Sequence, residues 1–151
     1  MNARAALAVA VLAFGCGPVP GGALSGEAAT APAAWSDALG GERAMCEIEA
    51  RPADPHSIQL ECFTRDGELY VQSHRWALAE WWPESWAEVW LAEPDVKVRI
   101  GGRLYALRAE RVADETLREA ILKERGYDPV PEGIAVFRFA ERAQAAPSGA
   151  P

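Results

Sequence analysis

Two stretches of alternating residues, Met45 to Arg51 and Ser57 to Phe63, flank the breaker Pro52-Ala53-Asp54-Pro55-His56 and constrain this chain more than any other feature. Alternation places successive side chains on opposite faces of a strand, and a proline-containing breaker between two such runs predicts a hairpin. A turn centred on Asp54 sets Cys46 opposite Cys62, Ile48 opposite Leu60 and Ala50 opposite Ile58. One face is then apolar, and the facing cysteines stand at a separation suited to a disulfide. Closing the loop of 15 intervening residues contributes about 3 kcal/mol through the unfolded chain. The same register sets Glu47 opposite Glu61 on the outer face. Such a pair reads as a proton-sharing or cation site, or as a solvated face relieved by arginines such as Arg65; the solvated face is the favoured reading.

Further elements follow along the chain. Arg65-Asp66-Gly67-Glu68 predicts a tight turn, because Asp-Gly supplies the positive φ angles that a two-residue hairpin needs. The next strand, Glu68 to His74, then lies with Tyr70 beside Phe63 and Val71 beside Cys62. Trp86, Val89 and Trp90 lie at helical spacing within a predicted helix from Pro83 to Ala92, and Trp82, just before it, continues the same spacing. Val96 to Ile100 and Arg103 to Val112 form a second hairpin around Gly101-Gly102, and Asp114 caps a helix that runs to Arg125 and stops at Gly126. A last strand is expected from Ile134 to Phe139.

The first residues carry Arg4 and then an apolar run from Ala5 to Phe14, too short to span a bilayer and suited to an export signal. Leu12-Ala13-Phe14-Gly15-Cys16 at its end resembles the lipobox of bacterial lipoproteins. That resemblance implies a signal peptide over residues 1–15, lipid on Cys16 and attachment to a membrane, with Gly17 favouring the periplasmic face of the outer membrane in a Gram-negative cell. The other reading is an ordinary signal peptide cut near Ala23 to Ala34. Cysteine arithmetic favours lipidation: removing Cys16 from the three cysteines leaves one pair. Residues 16–34 read as lipid attachment and flexible tether, 35–140 as one domain and 141–151 as a loose tail. A free coil of the tether's length reaches roughly 20–25 Å.

Chemistry is less legible. The chain holds 22 acidic against 15 basic residues, a net charge of −7, which argues against a nucleic-acid partner. His56 and His74 are the only histidines; one reads as a turn and the other as a strand end, so no metal cluster is expected. Ser73 and His74 are neighbours on a strand and point to opposite faces, which prevents a dyad, and no catalytic residue is assigned. Five tryptophans lie between Trp76 and Trp90; the helical stripe reads as core, leaving Trp76 and Trp81 as pocket candidates. Lys97, Arg99, Arg103, Arg108 and Arg111 gather on the second hairpin. They would suit a phosphate or carboxylate, but read first as a solvated face balanced by acids.

The stretch from Asp66 to about Asp114 resembles the split β-barrel of flavin- and deazaflavin-binding nitroreductase-like proteins. The matching residues are Asp66-Gly67-Glu68-Leu69-Tyr70-Val71-Gln72-Ser73, a tryptophan-containing helix, Glu93 to Arg103, and Val112-Ala113-Asp114 opening a helix. The resemblance implies Ser73 and Arg75 as phosphate contacts, with Trp76 beside them, for FMN or a deazaflavin. Where that family has a glycine-rich loop, this chain has His74-Arg75-Trp76. The expectation is therefore a mainly β (α+β) domain, an antiparallel split-barrel-like sheet of about six strands with two helices. It is read as a non-enzymatic envelope lipoprotein that serves as a small binding or structural module, without a cofactor and with a small molecule as the candidate ligand. The alternative is a flavin- or deazaflavin-dependent oxidoreductase.

Overall fold

The computed structural model describes residues 21–78 and 85–142. In chain order these form β1 (Glu27–Ala29), α1 (Trp35–Leu39), β2 (Arg43–Ala50), β3 (His56–Arg65), β4 (Glu68–Gln72), α2 (Trp86–Ala92), β5 (Asp95–Ile100), β6 (Arg103–Arg111), α3 (Glu115–Glu124) and β7 (Val136–Glu141). Six strands pair antiparallel in the order β6-β5-β2-β3-β4-β7, and β7 returns to β6 to close a barrel. The expected mainly β fold is present, with a seventh strand and a third helix added among the described residues. The apolar faces of the strands, Ile48, Leu69, Val71, Val98, Leu107 and Phe137 among them, are buried inside.

Turn chemistry accounts for much of this closure. Asp66 and Gly67 have φ of 52° and 81°, and the hairpin pairs Phe63 with Tyr70 and Arg65 with Glu68 as expected. Gly101 and Gly102 make the second tight turn with φ of 55° and 78°. The Asp114 carboxylate accepts hydrogen bonds from the backbone amides of Thr116 and Leu117 at 2.9 and 3.2 Å, which caps α3, and Gly126 ends it with φ of 93°.

The β2–β3 register differs from the expected one by two residues. Cys46 faces Leu60, Cys62 faces Ala44 and Ile48 faces Ile58. Pro52 suits the second position of a four-residue turn, and the Asp54 amide donates to the Arg51 carbonyl at 3.0 Å, so the turn is centred one residue earlier. Moving the centre by one shifts opposed pairs by two, which keeps every side chain on its face. Cys46 and Cys62 still form the disulfide, now as diagonal neighbours with Cα atoms 5.8 Å apart. The expected carboxylate pair is separated: Glu47 faces Gln59, and Glu61 faces Met45.

The N-terminal part of the domain begins earlier than Trp35. Gly21 and Ser57 exchange backbone hydrogen bonds of 2.7 and 2.9 Å, and β1 lies parallel to the first part of β6, Glu27 beside Arg103 and Ala29 beside Tyr105. Residues 21–34, expected as free tether, are thus partly a strand. Trp35 is buried and meets Tyr105 edge-on with ring centroids 5.0 Å apart. At the other end Glu141 belongs to β7, and the Arg142 guanidinium donates to the carbonyls of Leu107 and Val96, so packing extends past Ala140. β7 starts at Val136 rather than Ile134 because the Ala135 amide donates to the Ser73 hydroxyl at 2.8 Å instead of joining the ladder; the same contact ends β4 at Gln72. α2 begins at Trp86, after Ser85, rather than at Pro83. Cys16, Trp81, Trp82, Pro83 and residues 143–151 lie outside the described residues, as do the predicted signal peptide and lipidation site.

Candidate functional site

The turn end of the β2–β3 hairpin and the helix α2 flank a cleft of about 380 Å³. Its floor is continuous with the core: Ile48, Ala50 and Trp90 are buried, while Ile58, Trp86 and Val89 are half-buried. Trp86, Val89 and Trp90 share one face of α2 because three- and four-residue steps return to the same side of a helix. The two indole rings meet at 4.3 Å between centroids, and Trp90 packs on Phe137 at 5.5 Å.

Four polar residues, Arg51, His56, His74 and Ser85, reach this cleft. Arg51 sits at the turn with φ of 55°, in the left-handed region. His56 is the first residue of β3, opposite Ala50. His74 follows β4, and its Nδ1 accepts a hydrogen bond from the Trp76 amide at 3.2 Å. Ser85 is held twice: its amide donates to the Glu88 carboxylate at 2.8 Å, and its hydroxyl donates to the Ala77 carbonyl at 3.0 Å. That second bond fixes the start of α2 to the segment after β4.

Carboxylates are missing from the described lining of this cleft, although the chain is acidic overall. Four other depressions on the described surface each carry at least one: Glu42 and Glu124 in one, Glu141 in another, Glu68 and Glu110 in a third, and Glu68 with Glu141 in a fourth. In the third, Tyr70 donates to Glu68 at 3.0 Å, and burial together with that carboxylate pushes its pKa up to about 12.

The residues expected to contact a flavin phosphate do not gather at the cleft. Ser73 is buried, its hydroxyl donating to the His74 carbonyl at 3.0 Å and accepting from the Ala135 amide. Arg75 and Trp76 are exposed on the following loop, and the Arg75 carbonyl packs against Gly133 too closely for a Cβ there. The Ser73 hydroxyl thus secures β4 to the approach of β7, and among the described residues no glycine-lined cradle stands beside it. The implied flavin does not fit these residues as the resemblance would place it. The basic hairpin is likewise internally balanced: Lys97 pairs with Glu49 at 2.9 Å, Arg99 with Glu47 at 2.6 Å and Arg108 with Asp95 at 3.1 Å, while Arg103 and Arg111 are exposed. Glu61 pairs with Arg125. Among the described residues, no group of three or more His, Cys, Asp or Glu is arranged to hold a metal ion.

Sequence reasoning placed His56 in a turn and His74 at a strand end, and missed that they share one cleft. The signal was present in the hairpin order. β3 and β4 run in opposite directions, so the residue that opens β3 and the residues that follow β4 lie at the same end of the barrel.

A scan of protein-family models finds no match, and neither does a search of curated proteins. Among solved structures, the chain is similar to a FAD-binding protein from Mesorhizobium loti, with 20% identity and a TM-score of 0.44, covering 66% of this chain and 79% of that one.

Proposed function

We propose that this chain is an exported envelope lipoprotein, anchored through Cys16, whose barrel is a non-enzymatic binding module with its small-molecule site at the α2 cleft. The observation that carries the reading is the cleft itself. An apolar, aromatic floor with a few converging polar groups is the usual construction of a ligand site, and the volume of about 380 Å³ lies within the usual range for one.

Two further features support the address. The buried Cys46–Cys62 disulfide is at home in an oxidising compartment. The bonds made by residues 21–29 also favour Cys16 over cleavage near Ala23 to Ala34, because such a cut would remove the Gly21–Ser57 bridge or β1 from the mature protein. Among the described residues no helix is long and apolar enough to cross a membrane, and the proposed lipid supplies the attachment. Against the oxidoreductase alternative stands Ser73, whose hydroxyl is already engaged by Ala135 and His74.

The test is a thermal-shift titration of the full chain with small acids, alcohols and amines. Ligands that raise Tm should lose their effect in Arg51→Ala and Trp86→Ala, and Cys16→Ser should abolish fatty-acid labelling. A stoichiometric flavin spectrum in protein purified from its native envelope would overturn the non-enzymatic reading.

A further inference from the structure

Residues 21–29 cross the outside of the barrel and are fastened to four neighbouring strands in turn. Gly21 and Ser57 of β3 exchange backbone hydrogen bonds, the Leu24 amide donates to the Glu49 carboxylate of β2, Arg99 of β5 donates to the Ser25 carbonyl at 3.0 Å, and β1 then pairs with β6. β3, β2, β5 and β6 follow one another in the sheet in that same order. Glu49 and Ser57 face outward, one residue from the core-facing Ile48 and Ile58. Both are nevertheless buried, because the crossing segment lies over them.

The segment itself buries little. Of its nine residues Leu24 and Ala29 are half-buried and the other seven are exposed, so hydrogen bonds rather than apolar area hold it, and such segments open at the low end of a protein's stability. What it covers is fitted to an extended main chain. Ser57 offers an amide and a carbonyl, Glu49 accepts an amide, Arg99 donates to a carbonyl, and Arg103 to Tyr105 offer the edge of β6. Main-chain bonds to such an edge supply affinity, and the fit of side chains supplies specificity. A Cβ on Gly21 would lie 2.7 Å from the Ser57 hydroxyl and one on Gly26 would lie 2.5 Å from the Gly102 carbonyl oxygen, whereas one on Gly22 would meet nothing within 4 Å. Leu24 is the one large apolar side chain of the segment, and Glu27 lies beside Arg103.

We propose that residues 21–29 are an autoinhibitory strap, occupying in cis a docking surface for an extended segment of a partner protein. That segment carries a glycine, an aliphatic residue three positions on, a second glycine two further and then an acidic residue, the pattern of Gly21, Leu24, Gly26 and Glu27. A strap joined to the barrel by a short connection competes at an effective concentration in the millimolar range. Mismatched segments are thereby excluded, and the partner engages when the strap opens. The surface uses none of the residues that line the α2 cleft and does not depend on the anchor.

The full chain carrying Cys16→Ser and Gly26→Val tests this with a fluorescein-labelled peptide of the sequence Pro20 to Thr30, read by anisotropy. Valine at this position meets the Gly102 carbonyl and drives the strap off, and a cooperative melting transition reports that the barrel is folded. The peptide should bind this chain, and should bind the chain with an intact strap at least about tenfold more weakly, because the strap competes. Gly21→Val or Gly26→Val in the peptide should abolish binding, while Gly22→Ala should leave it unchanged. In the chain with Gly26 intact, hydrogen exchange should be faster at Leu24 and Glu27 than at Ile48 and Val98, and excess peptide should speed it further; this measurement needs no folded Gly26→Val chain. Exchange at Leu24 and Glu27 as slow as at Ile48 would overturn the releasable strap. A folded Gly26→Val chain that fails to bind the peptide, or exchange unchanged by excess peptide, would overturn the docking surface. Equal binding of the valine-substituted peptides would overturn the sequence pattern.

Discussion

Beneath α3, Phe63, Tyr70, Ile121, Leu122, Ile134 and Val136 form a small second core, and the charges around it are matched to one another. Arg125 lies over the Phe63 ring at 4.1 Å and reaches both Glu61 and Gln72; Arg138 bridges Glu68 and Glu110; Arg65 pairs with Glu124. Arg118 is buried and donates to the carbonyls of Pro131 and Glu132 while pairing with Glu115. Beside α2 the main core instead runs out to the surface through Ile58, Trp86 and Val89, with Arg51, His56 and His74 at the rim of the apolar floor. The α3 side resembles a sealed joint and the α2 side an opening. The contrast teaches that one small barrel can seal one face with matched charges and leave another open beside its core.

The largest test of that division is Leu122→Ala. This side chain is fully buried, so the substitution should destabilise the protein by about 2–5 kcal/mol, measured by urea unfolding. The ligand-induced rise in Tm proposed for the α2 cleft should be unchanged where the variant is folded; a parallel loss would show that the two sides act as one unit.

The disulfide lies in the main core, on the hairpin whose turn end borders the cleft. Cys62→Ala should lower stability by about 3 kcal/mol, the value expected for releasing a loop of this size. Hydrogen exchange should increase first at the β2–β3 turn around Arg51 to His56. An increase beginning in α3 instead would break the assignment of the staple to the open side.

The smallest effect is expected for Arg51→Ala. Its side chain lies at the rim of the α2 cleft, so unfolding free energy should change less than in either core variant while the proposed ligand-induced rise in Tm falls. A large stability loss would move Arg51 to the structural side of the ledger.

Much of the barrel was legible because its turns are local. Asp66-Gly67, Gly101-Gly102, Asp114 and Gly126 act through their own backbone angles or a carboxylate within three residues, and each does what its residue type demands. The β2–β3 register was legible only in its faces, since period-2 alternation is blind to a two-residue slip and the decision fell to a single turn hydrogen bond at Arg51. β1 left no trace: Glu27-Ala28-Ala29 has no alternating apolar pattern, and its place depends on β6, more than seventy residues away. The cleft escaped a residue-by-residue reading, although the hairpin order implied it. His56 and His74 are unremarkable one at a time, and only the antiparallel course of β3 and β4 brings them to one end.

The short parallel strand has one more consequence. β6 gives its first part to β1 and its later part, Leu107 to Arg111, to β7. Without Glu27–Ala29 the stretch Arg103 to Tyr105 would present unpaired backbone donors and acceptors on one side, the kind of exposed edge through which chains join one another. β1 therefore acts as a guard against strand exchange between neighbouring copies, a protection supplied by only three residues.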